Sequence, residues 1–334
     1  MNYKNDEKID FVILWVDGSD FAWKRKFKKY APKVFSFPSE SDSRFRDYGL
    51  LKYWFRSVEK YAPWVNHIYM VTDDQVPDFI NLSNPKISII DHKDIIPEKY
   101  LPTFNSNVIE FYIHKIPNLS EHFVLFNDDM YLNQPTKPSD FFYRGLPRDF
   151  AVFKPLVLET WFDHIQASNL IYINSKYGKK KHELVLRNFF KFFNIKYGVY
   201  LLYSFYSIPY NNFLGFQYRH VTIAFNKTQY QDFVSNFKGL ASQSLHRVRD
   251  GSDISQWAIR YSRLINGKFY PQSPNFGTYF VISDVDSIRK EIFKSKHHVI
   301  CINDQDDIKD IDLYRKNLYK IFNKIYNLKS SFEI

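Results

Sequence analysis

The sequence predicts an α/β fold with a largely parallel sheet, and two observations carry that expectation. Three apolar runs in the first 130 residues each end in an acidic residue: DFVILWVDG (Asp10–Gly18), HIYMVTDD (His67–Asp74) and HFVLFNDDM (His122–Met130). Continuous runs of this length suit strands buried on both faces. The runs also alternate with segments of helical period, as parallel strands joined by crossover helices require.

Taken in order, residues 10–17 read as the first strand, ended by Asp-Gly. Residues 24–46 are basic and irregular. Asp47 can cap a helix whose apolar stripe is Leu50, Leu51, Trp54, Phe55 and Val58, closed by Pro63. His67–Thr72 is the second strand, Val76–Leu82 a short helix and Lys86–Asp91 a third strand. Asn105–Ile116 is a helix stopped by Pro117, and His122–Asn127 is the fourth strand. Pro135 and Pro138 mark the end of this α/β half, assigned to residues 1–150.

The remainder is less regular. Residues 151–217 form a variable basic and aromatic segment containing Lys176, Lys179, Lys180, Lys181 and His182, followed by FFKFFNIKYGVYLLYSFYSIPY. Residues 176–216 read either as an amphipathic surface in contact with a membrane leaflet or as a core helix with solvated lysines, and the whole segment is assigned to acceptor or membrane contact. Residues 218–310 form a second half, with 221–237 and 253–266 helical. Residues 311–334 form a basic amphipathic C-terminal helix with Leu313, Leu318, Ile321, Phe322 and Ile325 on its apolar side. No internal repeat is present.

Composition narrows the function. A length of 334 residues fits one large domain or two sharing an interface. With 10 glycines and no Gly-x-Gly-x-x-Gly or Walker pattern, dinucleotide and P-loop chemistry are disfavoured. The single cysteine, Cys301, excludes a disulfide framework and a cysteine-rich zinc site. A polar start and the lack of a long uncharged apolar stretch lead us to expect a cytoplasmic protein, peripheral at the inner membrane face if the basic segment touches lipid. The net charge of +10 suggests an anionic partner.

The chemistry-bearing residues gather at expected strand ends. Asp17, Asp73, Asp128 and Asp129 follow apolar runs, and open α/β sheets bind ligands at that edge. Asn127-Asp128-Asp129 can supply carboxylates to a divalent metal, or can simply form a turn. Asn303-Asp304 of CINDQ carries the same two readings. His220 is one of 10 histidines, the side chain suited to moving a proton near neutral pH. Arg44 and Arg46 of RFRD, and Arg247 and Arg249 of HRVRD, can grip phosphate through paired N–H donors; otherwise they are surface ion pairs of little weight. Asn105 and Ser106 open a helix, whose N-terminus can receive an anion or merely be capped. Glu110 and His114 follow on that helix.

Four stretches, IDFVILWVDGSD (9–20), the segment Arg44–Leu132, YRHVTIAF with HRVRDGSDISQW (218–225 and 246–257) and CINDQ (301–305), together resemble the four conserved regions of the Stealth family. That family holds bacterial capsular and exopolysaccharide phosphotransferases and their relative, the animal N-acetylglucosamine-1-phosphotransferase. The resemblance implies a nucleotide-sugar-transferase-like, Rossmann-like core. It implies transfer of hexose-1-phosphate, as N-acetylhexosamine-1-phosphate, from a UDP-sugar to a sugar hydroxyl on an oligosaccharide or polysaccharide, with release of UMP and use of Mg²⁺ or Mn²⁺. It further implies roles: Asp128 and Asp129 at the metal or the attacking hydroxyl, Asn303 and Asp304 beside them, His220 as base or phosphate contact, and Arg249 as phosphate clamp with Arg247 as the near alternative. Trp15, Asp17 and Gly18 would line the nucleotide pocket.

Two alternatives stay open. One is a conventional glycosyltransferase releasing a nucleoside diphosphate. The other is a non-catalytic basic module binding nucleic acid or membrane. Strand-end carboxylates repel phosphate backbones, so no nucleic-acid partner is expected.

Overall fold

The computed structural model of the chain describes residues 8–31, 45–305, 308 and 310–334. Its centre is a five-stranded sheet in the order β3-β2-β1-β4-β8, built from β1 (Ile9–Leu14), β2 (Ile68–Thr72), β3 (Ile87–Asp91), β4 (His122–Asn127) and β8 (Ile223–Asn226). The first four strands are parallel, and β8 closes the edge antiparallel to β4. Side chains alternate across the sheet. Phe11 and Ile13 of β1 join one apolar cluster, with the helix Leu51–Tyr61 and the C-terminal helix Ile311–Ile325. Val12 joins the other, with the helices Ser106–Tyr112, Lys227–Ser235 and Gln256–Ile265. This sandwich of helices on both faces explains why the parallel strands have no polar alternation.

Two smaller sheets extend the fold. Gly277–Val281 (β10), Val299–Asn303 (β11) and Met130–Leu132 (β5) pair in the order β10-β11-β5. Phe142–Tyr143 (β6), Leu146–Asp149 (β7) and Tyr270–Pro271 (β9) form the other. Asp149 at the end of β7 is buried against Arg260 and Arg263 of the helix Gln256–Ile265. The Arg260 guanidinium donates to it twice, at 2.8 and 2.7 Å. The second half is thus joined to the first by a desolvated ion cluster. Burial alone would raise the Asp149 pKa, but the two arginines outweigh it and hold the carboxyl below its usual value.

Several sequence expectations change. The basic stretch after residue 20 holds a helix, Phe21–Tyr30, capped by the Asp20 side chain accepting from Trp23 N. Trp23 and Phe27, one turn apart, stack and pack on Phe45 and Phe104. Val76–Leu82 is not a helix. Its backbone turns instead and pairs with the chain end: Asn81 N donates to Phe332 O and Ile334 N to Phe79 O. Pro77, which has no N–H to give, suits that turn. Residues 221–237 begin as the strand β8 before turning helical, because the run Ile223-Ala224-Phe225 fills the open edge of β4. Asp47 does not cap a helix; Leu50 holds that position. Within 151–217 a 16-residue helix, Phe162–Tyr177, is followed by several short helices rather than by one core helix.

Candidate active site

Every parallel strand of the central sheet delivers residues to one cleft of about 1050 Å³ at its carboxyl edge. Trp15 and Val16 follow β1, Asp73 follows β2, His92 follows β3, and Asn127 ends β4 with Asp128 and Asp129 after it. That is where an open α/β sheet exposes its strand ends to ligand.

The opposite wall comes from later in the chain, and strand register places it. Leu125 of β4 pairs with Ile223 of β8, so three residues outward His220 sits beside the Asp128-Asp129 pair. Its Nε2 lies 3.5 Å from Asp129 Oδ2. Cys301 of β11 pairs with Met130 of β5, and Ile302 N donates to Asp129 O at 2.9 Å. This register brings Asn303 and Asp304 to the same wall. The Cys301 thiol donates to Asp129 Oδ2 at 3.2 Å, and burial beside that carboxylate keeps it protonated.

Arg249 reaches the cleft from the loop before the helix Gln256–Ile265. Its Nε and Nη2 donate to Ser106 Oγ at 3.0 and 2.6 Å. Burial lowers its pKa, opposed by Glu110, Asp253 and Asp129, and the guanidinium stays charged. Glu110 lies one helical turn beyond Ser106, so both face Arg249. Glu110 is buried and its Oε1 accepts from Gln256 Nε2 at 3.3 Å. Sequence reasoning named Glu110 only as part of a helix start; its i+4 spacing from Ser106 was the available signal.

Of the residues expected at the site, Trp15, Arg46, Ser106, Asp128, Asp129, His220, Arg249, Asn303 and Asp304 line the cleft. The others do not. Asn105 is fully buried, with its Nδ2 donating to Asp253 Oδ2 at 2.7 Å and its Oδ1 capping the helix at Asn107 N. It anchors the Arg249 loop instead. Arg247 turns away, donating to Pro102 O and covering the Tyr30 ring. The Asp17 carboxylate accepts from Ser19 N, and its backbone is bridged by the Gln75 side chain. Gly18 N donates to Phe45 O at 2.9 Å, and a Cβ at Gly18 would meet that oxygen at 2.2 Å. Glycine there lets Phe45 close on the cleft. Arg44 lies outside the described residues.

The donors also bear on a metal. Among the described residues, Asp129, His220 and Cys301 offer ligand atoms within 4.8 Å of one another. A protonated thiol is a poor ligand, so that trio does not suit a hard cation. The carboxylates do. Asp128 is raised well above the usual carboxyl range, first by burial and then by the nearby charges of Asp129 and Asp47. Asp129 Oδ1 is buried with no hydrogen-bond partner among the described residues. Gathered carboxylates with an unsatisfied oxygen fit Mg²⁺. Asp304, in contrast, is engaged by Tyr48 Oη at 2.6 Å, Arg46 Nη1 at 2.9 Å and Gln305 N at 2.7 Å.

Glu110 supports a pH prediction. Burial pushes its pKa from 4.5 up to about 7, against the lowering influence of Arg249, Gln256 and His220. Between those values the folded chain holds a proton the unfolded chain has lost, so stability falls as pH rises through this window. Glu110→Gln stays neutral and escapes the penalty. Relative to wild type, the variant is expected to gain roughly 3 kcal/mol in urea unfolding as the pH is raised across that window. A pH-independent difference would contradict it.

Comparison with known proteins finds two family regions in the first half of the chain. Residues 44–149 match Stealth protein CR2, conserved region 2, and residues 7–34 match Stealth protein CR1, conserved region 1. The exopolysaccharide phosphotransferase cps2G of Lactiplantibacillus plantarum is 43% identical over 328 residues, covering 97% of this chain and 96% of that one. The capsular polysaccharide phosphotransferase WcwK of Streptococcus pneumoniae is 40% identical over 334 residues, with 99% of each chain covered. The receptor polysaccharide phosphotransferase WefC of Streptococcus gordonii is 36% identical, covering 98% of this chain and 99% of that one. Among solved structures, the apo-form glycosyltransferase GlyE of Streptococcus pneumoniae aligns with a TM-score of 0.40 and 12% identity, over 96% of this chain and 64% of that one. With near-complete coverage at this identity, the chain belongs to the Stealth family.

Proposed function

We propose that this transferase moves N-acetylhexosamine-1-phosphate from a UDP-sugar to a hydroxyl of a capsular or cell-surface polysaccharide, releasing UMP. The observation that carries the proposal is the meeting of Asp128, Asp129, His220 and Arg249 in one strand-end cleft. Phosphoryl transfer needs positioning and charge neutralisation more than covalent help, and this set provides both. The oxygen of the acceptor hydroxyl bonds to the β-phosphorus of the donor. The bond from that phosphorus to the bridging oxygen breaks, and the nucleoside monophosphate leaves with the bridging oxygen.

His220 takes the proton of the attacking hydroxyl. Asp129, at ion-pair distance, stabilises the imidazolium that results. Arg249, fixed by two hydrogen bonds to Ser106, places a guanidinium against the charge of the transferred group. Asp304 anchors Arg46 and Tyr48 on the cleft wall, setting a second cation where the diphosphate would lie. Asp128 and Asp129 would hold Mg²⁺ or Mn²⁺. The ion would supply neutralisation of the diphosphate charge.

The test is incubation with a UDP-N-acetylhexosamine, Mg²⁺ and a short oligosaccharide, with the product weighed by mass spectrometry. The acceptor is expected to gain a hexosamine plus one phosphate, and chelation of the metal to abolish turnover until Mg²⁺ is restored. An acceptor that gains the sugar alone would establish ordinary glycosyl transfer instead.

A further inference from the structure

The short helices between residues 181 and 207 expose a concentration of large apolar side chains to solvent. Phe190 is 82% exposed, Ile195 89%, Val199 76% and Leu202 72%, with Phe205 and Tyr206 beside them in sequence and more than half exposed. Isolated apolar residues on a surface are ordinary, but such a concentration marks an interaction site. The segment is also built rather than frayed. Lys181, itself buried, donates to Ser207 O at 2.5 Å and Tyr210 O at 2.6 Å, tying the start of the segment to its end. Lys191 donates to Gly267 O and Phe269 O, tying it to the body of the fold.

Charge selects the occupant. Residues 176–216 contain seven lysines and arginines against one carboxylate, Glu183. Lys176, Lys179, Lys180 and Lys196 are exposed. Aromatic and aliphatic side chains flanked by lysines suit the interface of an anionic bilayer, into which a short amphipathic segment sinks without crossing. The helix Leu201–Ser207 has 7 residues, and no described helix is long and apolar enough to cross a membrane.

The segment also adjoins the cleft. Tyr200 Oη accepts from Arg219 Nη2 at 2.7 Å, one residue before His220. Lys154 and Leu156 of the cleft wall pair with Gly215 and Leu214, and that wall runs on to the exposed Val157 and Leu158.

We infer that this segment docks the protein on an anionic lipid bilayer, with the mouth of the cleft held close to the lipid surface. The test is flotation of the full chain with phosphatidylcholine vesicles, with and without phosphatidylglycerol. Wild type is expected to float with the anionic vesicles and be released by high salt. Phe190→Ser, Ile195→Ser and Leu202→Ser combined should lose at least about tenfold in binding with an unchanged melting curve. Lys179→Glu with Lys180→Glu should lose about tenfold as well. Failure to float, equal binding to neutral vesicles, or flotation unaltered by the triple variant would overturn the inference. So would a wild-type dimer in sedimentation that the triple variant makes monomeric while vesicle binding stays absent. Flotation needs no turnover, so it fails or succeeds independently of the proposed reaction.

Discussion

His220→Ala is expected to fold as wild type does and to lose about 10²- to 10⁴-fold in kcat, the range typical of losing a general base. Three features set this expectation. The imidazole is only partly buried, so its removal leaves no large cavity. Its ring sits edge-on to Tyr279 with centroids 6.3 Å apart, a contact of small worth. Its Nε2 faces Asp129, so removal takes away the proton acceptor and leaves the carboxylates in place. The loss should therefore appear in kcat, with little change in donor KM. Residual activity should rise toward high pH, where hydroxide replaces the missing base. A variant with wild-type kcat would remove His220 from the reaction. A variant that unfolds would show that it holds the β8 edge instead.

Asp149→Ala should be the most destabilising single change considered, by about 3–5 kcal/mol in chemical denaturation. Asp149, Arg260 and Arg263 are all buried. Removing the carboxylate strands two guanidinium groups in an apolar setting, which costs far more than the pair contributes when intact. The pH dependence has a definite sign. The Asp149 pKa is held below its usual 3.8, so this cluster stabilises the fold above that pH and the stabilisation fades as acid protonates the carboxyl. The variant should lack that part of the acid sensitivity. A change below 1 kcal/mol would mean that water or another acceptor rescues the arginines.

What could be read in the sequence follows from local physics. Strands β1, β2 and β4 are buried on both faces, so each stands out as an apolar run, and the acidic residues that follow mark the sheet edge where ligands bind; the edge strand β3 is only partly buried. The helix Phe21–Tyr30 was hidden by its lysines, although Trp23 and Phe27 one turn apart were the sign of its buried side. Strand β5 has only three residues and is defined by its partner rather than by its own pattern. Asp128, Asp129, His220 and Arg249 were legible as motifs, but their meeting depends on the registers β4–β8 and β5–β11, which no local spacing encodes. Asn105 and Arg247 show the opposite case. Both sit in the right motifs, yet their side chains are spent on holding the loops that carry Ser106 and Arg249. Asp149 gave no signal, because its partners stand more than a hundred residues away.

The central claim is that the bond broken lies between two phosphorus-bearing groups and not at the sugar. A donor carrying ¹⁸O in the bridge between the anomeric carbon and the β-phosphorus tests it directly. The account predicts that the label stays with the sugar phosphate in the product and that the released nucleoside monophosphate carries none. Label recovered in a nucleoside diphosphate would show cleavage at the anomeric carbon and contradict it.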